Sequence, residues 1–423
     1  MCSRRSIFFY VIISFIAWNL STAGNLSAQA GISNARSMAM GGAYSALARG
    51  VESPVWNPAN LALSTKRTYR FNLISVGMNF HNNSFNKKQY DLYNGSFLSQ
   101  QDKQDILSSI PAEGVKVDFD TEVQALGFAV RNFAFTASAL AASDIAFSKD
   151  IVELALNGNE FGRLYEVGDT YGEGWGVSSF ALSGGYPFKV PYFSEFTVGA
   201  SVKYLRGHAY GKVIEARSSV LTNIDGIHSS GRIVIDHSLG GNGLALDIGS
   251  AATLGNQWSF SFGLTNLFSR ISWSTDNERF TYTFEGDSVT VQKIEESEID
   301  SVVVNSDETV SIGSFTSGLP VQIKMGVARF MGKMTFSLDY RQGFSQAPGV
   351  STTPEIALGS EIRYFNFFPV RAGLSLGGKR GFSAAAGFAF DFSFCSLDFA
   401  ISSKGGMFSP RGVGFAFDWM FRF

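Results

Sequence analysis

The chain has 423 residues, a formal net charge of −2 and only 17% charged residues, with 45 Gly and 40 Phe against 10 Pro. Near-neutral charge excludes a nucleic-acid binder. Beyond residue 20, no apolar run is long enough for a membrane-crossing helix, for which ~18 residues are needed.

The first elements are not part of a fold. Arg4 and Arg5 precede an apolar run from Ile7 to Leu20, followed by the small-residue site Ala28-Gln29-Ala30. That order is a secretory signal peptide over residues 1–30, with the mature chain expected to start at Gly31. Cys2 lies at the wrong end of the signal for a lipid anchor, and the remaining Cys395 has no partner, so disulfides do not staple the fold.

Next comes "ARSMAMGGAYSALARGVESPVWNPANLAL", Ala35 to Leu63. Gly41-Gly42, Pro54 and Pro58 break any long helix, and no period of two is present. Beyond it, period-two alternation takes over. In "KMTFSLDYRQ", Met334, Phe336, Leu338 and Tyr340 oppose Thr335, Ser337, Asp339 and Arg341. In "RGVGFAFDWMFRF", Val413, Phe415, Phe417, Trp419, Phe421 and Phe423 oppose Gly414, Ala416, Asp418, Met420 and Arg422. Alternation of this kind is a strand with one apolar face.

Strands are expected near 69–80, 122–131, 133–143, 175–186, 195–217, 243–254, 257–267, 320–330, 333–343, 354–364, 367–377, 381–391, 394–402 and 412–423. That makes an all-β transmembrane antiparallel barrel of about 14 strands. Every second connection is a short turn, apart from "PFKVPYFS" near 187–194, and the others are mostly long. A transmembrane barrel sorts its loops this way, whereas a soluble sandwich does not. The C-terminal aromatic alternation ending in Phe421 and Phe423 resembles the insertion signal read by the barrel-assembly machinery, which places the short turns in the periplasm. The expected location is the outer membrane of a Gram-negative-type bacterium, with its lipid as a partner.

The wet face carries Lys203, Asp247, Lys324, Asp339, Arg341, Glu361, Arg363, Arg371, Asp398 and Asp418. Both signs are present, so the set reads either as a mutually paired interior or as a track for a charged group. "SQQDKQDILSSIP" (99–111) and "DIVELAL" (150–156) read as short amphipathic helices in outer loops. The stretch after Phe268 is acidic, holding Asp276, Glu278, Glu285, Asp287, Glu295, Glu296, Glu298, Asp300, Asp307 and Glu308. It lacks EF-hand spacing and reads as a solvated loop, so no metal or other cofactor is expected. His81, His208, His228 and His237 form no catalytic motif, and no enzyme is expected; His208 and His237 are the candidates for a Ser/His pair assembled across strands.

A lumen of this width is wider than its own side chains can fill. Residues 31–68 lie before the first strand and can fold into it as a hatch, leaving 69–423 as the barrel. Small residues allow close packing, Gly41-Gly42 a tight turn, the prolines fixed bends, and Trp56 bulk.

The stretch carrying Ala35, Arg36, Met40, Gly41, Gly42, Ala43, Trp56, Asn57, Pro58 and Ala59 resembles the N-terminal signature of the FadL-like outer-membrane superfamily, in particular its PorV/PorQ-type branch. "GASVKYL", "FSFGLTNL" and "LPVQIKMGVA" are similar to strands of that branch. The resemblance implies a 14-stranded barrel with an N-terminal hatch that contains Asn-Pro-Ala. It implies either passage of hydrophobic or small amphipathic molecules, as in the FadL-type branch, or service to a secretion-system protein or surface attachment, as in the PorV-type branch. Asn60 stands where Gly usually follows Asn-Pro-Ala.

Overall fold

A computed structural model describes residues 34–64, 69–168, 170–290 and 303–423. The signal peptide, its cleavage site, and Glu295, Glu296, Glu298 and Asp300 lie outside the described residues.

Fourteen antiparallel strands close into one ring. In ring order they are β1 (Tyr69–Asn82), β2 (Val115–Val130), β3 (Phe133–Phe147), β5 (Tyr171–Phe188), β6 (Glu195–Asn223), β8 (Gly240–Leu254), β9 (Trp258–Thr275), β13 (Gln322–Met331), β14 (Met334–Gly343), β15 (Glu355–Phe365), β16 (Phe368–Gly377), β17 (Ser383–Asp391), β18 (Cys395–Lys404) and β19 (Gly412–Arg422). Closure occurs at β1, which pairs with β2 (Tyr69 opposite Val130) and with β19 (Val76 opposite Phe417). Hydrocarbon offers backbone groups no water, so only a ring without edges is stable there.

The two faces of the ring divide as the alternation requires. Leu338, Leu358, Leu374, Phe415 and Trp419 are exposed on the outside, while Asp247, Asp339, Glu361, Asp398 and Asp418 are buried within. The C-terminus and turns of two to six residues gather at one rim; the remaining connections, from five residues in β16–β17 upward, gather at the other.

Five more strands stand beyond the ring: β4 (Leu164–Glu166), β7 (Gly226–Ser238), β10 (Glu278–Val289), β11 (Val303–Ser311) and β12 (Phe315–Ser317). The strand β6 pairs with β8 over Glu195–Gly207, then continues outward to pair with β7 over Tyr210–Asn223. Then β10 pairs with β7, and β11 with β10, making a blade above the long-loop rim. The stretches 218–242 and 268–319, expected as loops, are therefore largely strand. Arg217-Ser218-Ser219 and Asn305-Ser306-Asp307-Glu308 carry no apolar alternation to betray them, whereas Phe280, Tyr282 and Phe284 of β10 do alternate with Thr281 and Thr283. Helices α3 (Lys87–Tyr93), α4 (Gln100–Ser109) and α5 (Lys149–Asn157) lie in the connections after β1 and β3. They follow α1 (Ala35–Ala39) and α2 (Ser53–Trp56), which lie inside the lumen.

Candidate functional site: the hatch and its lumen

Residues 34–64 fill the lumen by packing backbone against backbone. Asn34 caps α1 by accepting a hydrogen bond from the Ser37 amide at 2.7 Å. The chain then reverses through Gly41 and Gly42, at φ +65° and +90°, where only glycine is unstrained. The wall supplies the other half of this fit. A side chain at Gly373 of β16 would collide with the Gly41 amide nitrogen, and one at Gly359 of β15 would come 2.6 Å from the Met40 carbonyl oxygen. Gly387 of β17 would meet Ala39 at 2.6 Å. The sequence showed the small residues of the hatch; it did not show that these wall glycines face them.

The bulky centre of the hatch is Trp56, fully buried. Its ring meets Tyr44 edge-on at 5.7 Å between centroids, with the Lys324 ammonium at 5.2 Å and the Arg341 guanidinium at 5.5 Å over it. Tyr44 donates to Glu52 at 2.8 Å. Burial, offset in part by Arg36 and reinforced by Glu52, pushes the Tyr44 hydroxyl far above its ordinary range, so it stays a neutral donor.

Asn57, Pro58, Ala59 and Asn60 lie against β6, β8 and β9. The Asn57 amide donates to the Ser250 carbonyl and to Ser261 Oγ, both at 2.8 Å, while its Oδ1 accepts from the Ala59 amide at 3.0 Å. Thr197 donates to the Ala59 carbonyl at 2.8 Å. Asn60 is fully buried and donates to the Ser45 carbonyl at 2.7 Å, tying two passes of the hatch together. That bond accounts for Asn in place of Gly.

The lumen charges do two things. Some hold the hatch. Arg36 forks onto Glu361 at 3.0 and 3.2 Å, Asp418 accepts from the Ala35 amide at 2.8 Å, Asp339 accepts from the Ser45 amide at 2.7 Å, and Lys324 donates to the Val55 carbonyl at 2.9 Å. Others hold the wall. Arg371 bridges Glu361 and Asp398, both at 2.6 Å, and Arg363 reaches Glu361 at 2.7 Å. Arg341 pairs with Glu355 at 2.6 Å, and Lys203 with Asp247 at 2.6 Å. Phe421 and Phe423 lie on the lipid side of the short-turn rim, Phe421 against Phe71 with centroids 6.4 Å apart.

The hatch does not touch the whole wall. Between α2 and the inner faces of β2, β3 and β5 lies a cavity of about 110 Å³, lined by Val55, Glu122, Leu140, Trp175, Leu319 and Lys324 among others. Leu319 of its wall belongs to a packed apolar cluster with Val177, Leu205, Ile271 and Trp273, flanked by Phe315. Over the lumen a latch crosses from the β16–β17 connection. Arg380 donates to Asp118 at 2.8 Å and pairs with Asp120, while Lys379 pairs with Asp144. His81 Nδ1 lies 2.7 Å from the other oxygen of Asp118. Three ring strands, β18, β19 and β1, separate β17 from β2, so these pairs span a chord of the lumen.

None of Asp118, Asp120, Glu122, Asp144, Lys379 or Arg380 was singled out from sequence. The strand β2 was expected to start at 122, yet it starts at Val115. The signal was present in "VKVDFDTEVQ", where Asp118, Asp120, Glu122 and Gln124 alternate against Val117, Phe119, Thr121 and Val123.

Catalytic geometry is poor. Ser178 Oγ lies 2.8 Å from His208 Nε2, but no carboxylate engages the other ring nitrogen of His208, and the pair is exposed on the outside of the ring. His237 contacts Glu278 on the blade at 3.3 Å. Among the described residues no cluster of three or more His, Cys, Asp or Glu could hold a metal ion.

A family model described as "Family of unknown function (DUF5723)" matches residues 58–400. The chain belongs to this family. No curated protein matches the DUF5723 chain. Among solved structures, it is similar to the toluene transporter TbuX of Ralstonia pickettii, at 16% identity and TM-score 0.51, over 92% of this chain and 98% of that one. It is similar to the toluene transporter TodX of P. putida, at 12% identity and TM-score 0.52, over 93% and 99%. The CymD monoaromatic hydrocarbon channel matches at 13% identity and TM-score 0.52, over 92% and 97%. At these identities the likeness is one of fold.

Proposed function

We propose that this DUF5723 protein is a FadL-like outer-membrane channel for small hydrophobic or amphipathic molecules, gated by its N-terminal hatch. Residues 1–30 export the chain, 31–68 form the hatch and 69–423 the barrel. The observation that carries this reading is the cavity resting directly on the hatch at Val55, walled by Leu140, Trp175 and Leu319, which also pack against the apolar cluster of Val177, Leu205, Ile271 and Trp273. A barrel serving only as a scaffold has no need of a cavity with apolar walls resting on its plug.

The hatch is suited to moving. It is held by side-chain hydrogen bonds and close packing rather than by strand pairing, so it can shift without opening the ring. Arg36, Met40, Gly41, Gly42, Trp56, Asn57, Pro58 and Ala59 are its working residues in this reading, and the lumen charges are its seat. The fold shared with toluene transporters supports a hydrophobic small-molecule ligand.

Cells of a Gram-negative host making this protein should take up radiolabelled toluene several-fold faster than cells making an inert barrel of equal size. Equal rates, with a secreted protein co-purifying, would instead support the PorV-type role in secretion or surface attachment.

A further inference from the structure

The acids on the inner face of β2 are not equivalent. Asp118 is taken by Arg380 and His81, and Asp120 by Arg380 and the Asn79 amide, the latter at 2.8 Å. Glu122 is only 8% exposed, yet no hydrogen bond or ion pair reaches it from any described residue. The two nearby lysines are committed elsewhere: Lys203 to Asp247 at 2.6 Å and Asn266 at 3.0 Å, Lys324 to the Val55 carbonyl and the Trp56 ring. Buried polar groups are almost always partnered. Glu122 instead lines the 110 Å³ cavity, and so does the hydroxyl of Thr265, which is also buried without a partner. Two orphan polar groups lining one cavity mark a place for an occupant.

The cavity says what kind. Its volume of about 110 Å³ approaches that of an engineered protein cavity of about 150 Å³ that takes up benzene. Leu140, Trp175, Leu319 and Val350 offer a ring-sized body apolar contact, while the carboxyl oxygens of Glu122 accept hydrogen bonds; the volume is too small for a long acyl chain.

We propose that Glu122 is the selectivity determinant of this cavity, accepting a hydrogen bond from a single-ring amphipathic molecule that carries a hydroxyl or amine donor. This rests on the channel reading and narrows it: the favoured ligand is a donor-bearing ring rather than a bare hydrocarbon or a fatty acid.

The test uses the full mature chain in lipid nanodiscs and equilibrium dialysis against toluene and p-cresol, which differ by one hydroxyl. Empty nanodiscs supply the partition background, and a heat-dependent gel shift confirms folding. The native protein should bind p-cresol several-fold to about tenfold tighter than toluene, the range of one net hydrogen bond. Glu122→Leu should bring p-cresol down to the affinity of toluene while toluene binding survives, and Glu122→Gln, which keeps an acceptor, should retain part of the preference. If Glu122→Leu does not fold, a reduced preference in Glu122→Gln carries the inference. Equal binding of the two ligands by the native protein, or a preference untouched by either substitution, overturns it. Saturable binding of neither ligand means the cavity holds water only, and also overturns it. Toluene bound without discrimination leaves the channel reading standing, and the uptake assay judges that reading separately.

Discussion

The two sides of the lumen treat the hatch differently. On one side, β14 to β19 grip it: glycines accept its backbone, and Glu361, Asp339 and Asp418 bond its guanidinium and amides. On the other, the upper halves of β2, β3 and β5 stand off across a cavity, and their acids turn to the latch at Arg380 or to nothing at all. The gripped side spends buried charge on fixing a segment. The open side spends it on a lid and leaves one carboxylate free. The hatch is seated on most of the wall, on β6, β8 and β9 as well, and the cavity beside Val55 is the one direction in which the structure leaves it room to yield.

The comparison is broken most severely at Glu361, which serves Arg36, Arg363 and Arg371 together. Glu361→Ala leaves Arg371 with Asp398 and Arg363 with Asp391 but takes from Arg36 its carboxylate, and losing one partner of a buried pair costs about 3–5 kcal/mol. The temperature at which the folded gel band disappears should fall further than for any other lumen substitution made here. A smaller loss, about 1–3 kcal/mol from overpacking, is expected for Gly373→Val, whose side chain collides with the hatch at Gly41. Its signature is a hatch newly open to protease while the barrel core resists.

On the open side, Arg380→Ala should cost about 1–2 kcal/mol, since Asp118 keeps His81. Its main effect should be kinetic: faster exchange of bound p-cresol, measured by release from nanodiscs, with affinity little changed. An Arg380→Ala protein as unstable as Glu361→Ala would mean that both sides anchor alike. The smallest effect belongs to Asn60→Gly, which removes one buried hydrogen bond to the Ser45 carbonyl and should cost about 1 kcal/mol in thermal stability.

Much of this was legible in the sequence because lipid imposes a strict rule. From β13 to β19 every strand must be greasy outside and polar within, and the residues show it at Phe336/Ser337 and Phe417/Asp418. Where lipid ends, so does the rule. Both faces of β11 meet water, and nothing in Asn305-Ser306-Asp307-Glu308 separates strand from loop. The start of β2 differs: the alternation in "VKVDFDTEVQ" marks it, and Asp118, Asp120 and Glu122 were legible there. The hatch was visible in its small residues, but the partners of Arg36 and Ser45 lie about 300 positions away in the chain. Which carboxylate meets which cation across a lumen is set by ring closure, and no local pattern carries it.

The account stands on the hatch being the closure of an otherwise open ring. Single-channel recording in planar bilayers tests this directly, comparing the mature chain with one lacking residues 34–64. The full chain should be silent or nearly so, and the truncated chain should pass steady currents of nanosiemens order. Equal, low conductance from both, with the truncated barrel shown to be folded by its gel shift, would contradict the account and assign closure to the latch and wall instead.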